Sequence, residues 1–168
     1  VLARRLPRGC TPFFSRRVMP LLVPQGWKVV DRSDRQLTFR HDLFRHIGIE
    51  IFVRRSVLER AVLFTQILLE YAADREGAFS REMQTTLEVA GAWETVVACR
   101  GRYQQHYPIS FRKVLPDDAL ISPASGDEPW YALSFISYVP PTKDDGFDRF
   151  AAAAARSMAA LFGARPHW

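Results

Sequence analysis

Acidic residues are missing from the first 30 positions of this 168-residue chain. Arg4, Arg5, Arg8, Arg16, Arg17 and Lys28 all precede the first carboxylate, Asp31. These 30 positions hold six of the 23 basic side chains and none of the 18 acids, so the formal charge of +5 belongs to them and the remainder is within one charge of neutral. A uniformly basic protein is excluded; a near-neutral domain with a cationic leader is expected. Cysteine is scarce too. Cys10 and Cys99 can pair at most once, which excludes a disulfide scaffold and favours reduced thiols. There is no Cys-x-x-Cys or Cys/His cluster, so no zinc site is expected. No apolar run approaches the roughly 20 residues of a membrane-spanning helix. The longest, 57–73, is broken by Glu59, Arg60, Gln66 and Glu70. Also absent are a phosphate-binding glycine loop, a dinucleotide-binding glycine fingerprint, Gly-x-Ser-x-Gly and His-Glu-x-x-His. The common routes to catalysis are thereby removed, and the sequence alone assigns no catalytic residue, metal or cofactor.

What remains is an aromatic-rich chain with 12 Phe, 5 Tyr and 4 Trp, long enough for one domain with a real core. Pro7, Pro12, Pro20 and Pro24 keep the arm, 1–25, from forming a continuous helix. The domain proper is expected over 26–163, followed by a short tail, 164–168. Leu37-Thr38-Phe39 reads as a short strand. In the next run Ile47, Ile49, Ile51 and Val53 share one face, opposed by Gly48, Glu50, Phe52 and Arg54. Ser56 and Glu59 have the spacing of a capping box. A helical stripe of Leu58, Ala61, Val62, Thr65, Leu68, Leu69 and Ala72 follows, with Gly77 placed to end it. Residues 84–90, 93–103, 108–115 and 130–139 read as strands, and the polar stretch 116–129 as an exposed connection. Phe147, Phe150, Ala151, Ala154, Met158, Leu161 and Phe162 mark a final helix closed by Gly163. The predicted class is α+β: a mostly antiparallel sheet of about six strands covered by two helices, in the order β-β-α-β-β-β-β-α, with an extended basic N-terminal arm.

Several of these segments share one cadence. Leu87-Glu88-Val89-Ala90-Gly91-Ala92 reads as a strand and small-residue turn, and Gly101-Arg102-Tyr103 ends the next strand. Trp130-Tyr131-Ala132-Leu133-Ser134-Phe135 is an aromatic strand, and Phe147-Asp148-Arg149-Phe150 opens the last helix. Pro24-Gln25-Gly26-Trp27 stands at the entry to the domain. Over residues 20–163 this pattern resembles the PsbP/DcrB/Mog-type superfamily of α/β sandwiches. The resemblance implies a binding or assembly module without a catalytic site, in the manner of extrinsic photosystem subunits, a small-GTPase partner or secretion-effector chaperones.

His41 and His46 sit five residues apart, which suits neither a helix face nor a strand period, so a polar hairpin tip is expected rather than a metal site. Cys99 alternates with apolar neighbours and reads as core. Asp117-Asp118 and Asp144-Asp145 lack calcium-loop spacing and read as turn and cap residues. Arg100, Arg102, Tyr103, Tyr107, Arg112 and Lys113 form a basic-aromatic patch of a kind that can hold RNA or another anion. In the arm, Arg4, Arg5, Arg8, Arg16 and Arg17, with Phe13 and Phe14, have the chemistry of a partner-binding segment. Residues 1–19 also have the composition of an organelle transit sequence or its remnant. The expectation from sequence is a non-catalytic accessory subunit of a large organellar complex, in mitochondrion or plastid, peripheral to a membrane. It would dock through its arm on other subunits, an anionic lipid surface or RNA. An organellar ribosome component and a secretion-effector chaperone are the alternatives.

Overall fold

A nine-residue alternation of β-branched and polar side chains makes His46–Arg54 a strand, β1, in a computed structural model of the chain. The structure describes residues 46–138 and 146–167, with Phe13, Arg17, Val18, Leu21, Val30 and Arg32 as isolated positions before them. After a 3-10 turn come three helices: α1 (Leu58–Ala72), α2 (Arg81–Val89) and α3 (Trp93–Ala98). Then follow β2 (Ser110–Val114), β3 (Trp130–Tyr138), α4 (Phe147–Phe162) and β4 (Arg165–His167). The sheet order is β2-β3-β1-β4, and every pairing is antiparallel.

The α+β class and the antiparallel sheet stand, but with four strands and four helices among the described residues rather than six strands and two helices. The segments 84–90 and 93–103, read as strands from their threonines, valines and aromatics, are α2 and α3 with the turn that follows. β-propensity is a weak preference that capping and packing override. Ser80 accepts a hydrogen bond from the Met83 N–H at 3.2 Å and so caps α2. Leu87, Val96 and Cys99 are buried against the other helices. Residues 165–167, assigned to a tail, form β4 along the free side of β1. The strand expected at 37–39 lies outside the described residues.

Two details at the helix ends also differ. Ser56 does not box with Glu59. Its N–H and its hydroxyl both donate to the Glu128 carboxylate, each at 2.9 Å, 72 residues away. Gly77 does not supply the left-handed residue after α1; Asp74 does, at φ 57°. Gly77 lies so close to α1 that a Cβ there would stand 2.6 Å from the Ile67 carbonyl oxygen.

One face of the sheet carries Ile49, Ile51, Val53, Leu133 and Phe135 into a core shared with all four helices. Phe64, Leu68, Phe150, Met158 and Phe162 fill it from α1 and α4. Tyr103 stacks on Phe150 at 4.6 Å between centroids, and Phe147 meets it edge-on at 5.6 Å. Gly146, at φ 79°, starts α4 hard against the chain: a Cβ there would collide with the Arg102 carbonyl oxygen. The helices thus occupy one side of the sheet; on the opposite side Phe52, Trp130 and Ala132 are buried with Ala124 of the 115–129 connection, while Arg112 is exposed.

Candidate functional site

Alternation along β1 sends Glu50 to the side away from the helices, between Ile49 and Ile51, which are both buried. Register then assembles its neighbours. Ser134 on β3 lies directly opposite Glu50, Ser110 on β2 opposite Ser134, and His167 on β4 opposite Glu50 from the other side. Arg112, two residues beyond Ser110, reaches diagonally across β3. Its Nη2 donates to both oxygens of Glu50, at 3.0 and 2.7 Å. The Ser134 hydroxyl donates to Oε1 of the same carboxylate at 2.7 Å. Glu50 retains 27% of its side-chain exposure and Arg112 retains 62%. With Arg112 this exposed, the ion pair itself contributes about 0–1 kcal/mol to stability. The result is a cluster with an exposed guanidinium, a partly exposed carboxylate and a buried serine hydroxyl fixed on the central strands.

Below it the same face is apolar. Phe52, Trp130, Ala132 and Ala124 form a small second core under the 115–129 connection. Arg165 fastens that connection. Its guanidinium lies 4.5 Å from the Trp130 ring centre, and its Nη1 donates to the Ser125 hydroxyl at 2.6 Å and the Ser125 carbonyl at 3.1 Å. The Ser122 and Pro123 carbonyls lie at 3.4 Å from the same nitrogen. Asp117 organises the loop internally, accepting from the Ala119 N–H at 3.0 Å and the Ser122 hydroxyl at 2.6 Å. It is the turn residue that its position beside Pro116 suggests. Beside this loop the ring of His167 stands edge-on to Phe52, 6.2 Å between centroids.

The residues singled out from sequence do not gather here. Of the basic-aromatic patch, Arg112 alone joins Glu50. Tyr103 is core and its hydroxyl donates to Gln105 at 2.5 Å. Arg100 pairs with Asp74 at 3.4 Å and covers Tyr71. Tyr107 is half-buried beside His106, Arg102 is exposed near the start of α4, and Lys113 points to the opposite face from Arg112. Proximity in sequence across a helix end, a turn and a strand does not make one surface. In the arm, Phe13 and Arg17 are exposed, whereas Arg4, Arg5, Arg8, Phe14 and Arg16 lie outside the described residues, as does His41. Cys99 is buried after α3 and its thiol donates to the Val96 carbonyl at 3.1 Å; burial pushes its pKa up to about 11, which keeps it protonated. Among the described residues, no group of three metal-ligating side chains occurs.

Glu50, Ser134 and His167 escaped the sequence reading as functional residues. One signal was available: Glu50 is the lone charge inside an otherwise apolar strand interior, Ile-Gly-Ile-Glu-Ile-Phe-Val. Its pairing with Arg112, 62 positions later, was not, because it depends on the order of the strands.

A family model described as "ALO: D-arabinono-1,4-lactone oxidase" matches residues 23–168. A protein of an uncultured marine euryarchaeote, named "Long-chain alcohol oxidase", is 51% identical over 154 residues, covering 91% of this chain and 32% of that protein. The chain therefore spans about a third of the length of this curated relative. No solved structure matches it. These similarities overturn both the PsbP-type resemblance and the accessory, non-catalytic role it implied. The cadence misled for a physical reason. The stretch 87–103 is helix, turn and helix where that resemblance needs paired strands. An aromatic strand followed by a covering helix is common to many α+β folds.

Proposed function

The chain belongs to the D-arabinono-1,4-lactone oxidase family, and from that premise we propose that the face around Glu50 and Arg112 is the substrate-binding wall of an oxidase that acts on a hydroxyl-bearing carbon. The observation that carries this reading is the Arg112–Glu50–Ser134 cluster: an exposed guanidinium held on both oxygens of a partly exposed carboxylate, which the buried Ser134 hydroxyl anchors. The guanidinium keeps N–H groups that can donate to a substrate oxygen, and the carboxylate, with three of its acceptor sites filled, keeps one for a second substrate O–H, so the set suits a hydroxyl compound. Oxidation also requires an electron acceptor. A redox cofactor would supply a two-electron sink. The open polar face fits the substrate side of such a group, with the cofactor held by a further part of a longer protein, as the length of the relative suggests.

The names of the relatives offer two kinds of hydroxyl compound, a long-chain alcohol and a sugar lactone. Hydrogen peroxide formation by the full-length protein with dodecan-1-ol and with D-arabinono-1,4-lactone distinguishes them. On this reading at least one is turned over. Arg112→Met and Glu50→Gln each lower kcat/KM by about 100-fold, the scale of a lost charged contact in the transition state. Unchanged kcat/KM in both variants would refute the assignment.

A further inference from the structure

Removing two electrons from an alcohol also requires a home for its hydroxyl proton. On this face the obvious acceptor is engaged: Glu50 receives Arg112 on both oxygens and Ser134 on one. Arginine is never a base at working pH, and serine needs a partner to become one. His46 lies on the same strand but four residues away from Glu50, about 13 Å along it. His167 differs. Register puts it directly across from Glu50, about 5 Å between Cα atoms. Phe52 holds its ring edge-on, and the side chain is exposed on the site's own face. Among the described residues, neither of its ring nitrogens meets a hydrogen-bond partner. The charged groups around it are Glu50 on β1, Arg112 beyond it and Arg165 on its own strand.

Resting on the reading above, we propose that His167 is the catalytic base that takes the hydroxyl proton of the substrate. A substrate oxygen that accepts from the remaining N–H groups of Arg112, over Glu50, faces this imidazole across β1. The O–H bond breaks and the proton moves to a ring nitrogen of His167. The C–H bond breaks and its electron pair leaves with the hydrogen as hydride, to a hydride-accepting redox cofactor. The oxygen lone pair completes the C=O bond. The alcohol is oxidised by two electrons, the cofactor is reduced by two, and the imidazolium returns its proton to solvent.

The test uses His167→Gln and His167→Ala in the full-length protein, with dodecan-1-ol and D-arabinono-1,4-lactone as probes. Equilibrium binding of the probe, measured without oxygen turnover, should stay within about threefold of the parent, because Arg112 still holds the oxygen. The kcat should fall by about 100-fold or more in both variants, and added imidazole should restore part of it in His167→Ala. A kcat within about threefold of the parent overturns the proposal. So does a loss explained by weaker binding, or one that imidazole leaves untouched. The parallel Arg112→Met measurement separates the two ideas: if that variant keeps full binding and turnover, the substrate wall itself is wrong, whatever His167 does.

Discussion

At the scale of single residues, neighbours in sequence have opposite duties. Glu50 is accessible and replaceable, and Ile51 beside it is fully buried. Glu50→Gln should therefore change unfolding free energy by no more than about 1 kcal/mol, whereas Ile51→Ala should cost about 2–5 kcal/mol. Urea unfolding monitored by tryptophan fluorescence checks both. Cys99 illustrates burial acting on chemistry. Its thiol is raised from 9.0 to about 11, so the folded state binds the proton more tightly than the unfolded chain does. That stabilisation is full below pH 9 and is lost as pH rises through about 11. The matching kinetic expectation is that Cys99 resists a thiol reagent such as iodoacetamide at pH 8 in the native protein and reacts promptly once urea unfolds it.

At the scale of elements, long-range caps and close approaches fix the ends. The turn leading into α1 is held by Glu128 from the far side of the sheet. Glu128→Ala removes both acceptors of the exposed Ser56, whose donors pass to water, and should cost about 0.5–1 kcal/mol; Glu59→Ala, which the capping-box reading would have chosen, should cost less. Thermal unfolding of the two variants decides the order. The elements legible in sequence were those with strong periodicity: β1, α1, β3 and α4, together with β2. Those misread, α2 and α3, are rich in β-branched residues and helical only because Ser80 caps one and burial of Leu87, Val96 and Cys99 fixes both. Three residues, Arg165–His167, are too few to announce a strand; they become one because β1 offers an unpaired edge. The site was less legible than the fold. Strand alternation gave the outward side of Glu50, but its partners come from strands that only the tertiary arrangement makes adjacent.

At the scale of the whole molecule, the sheet separates a helix-filled core from a polar face, with Arg165 tying the 115–129 connection across the lower part of that face. Arg165→Met keeps the aliphatic stem but releases the Ser125 hydroxyl and carbonyl. It should speed amide hydrogen exchange across 117–126 by about tenfold, with little change in α4. Equal acceleration in both places would mean that Arg165 supports the entire fold rather than this strap.

The two sides of β1 also set how such a protein can diversify. Positions 49, 51 and 53 are answerable to the core, while 50, together with 112 on β2, is answerable to whatever meets the outer face. A lineage can therefore change what this face meets at these two positions through single substitutions that the core does not feel. The alternation of a strand thereby becomes a division between what is inherited unchanged and what is free to vary.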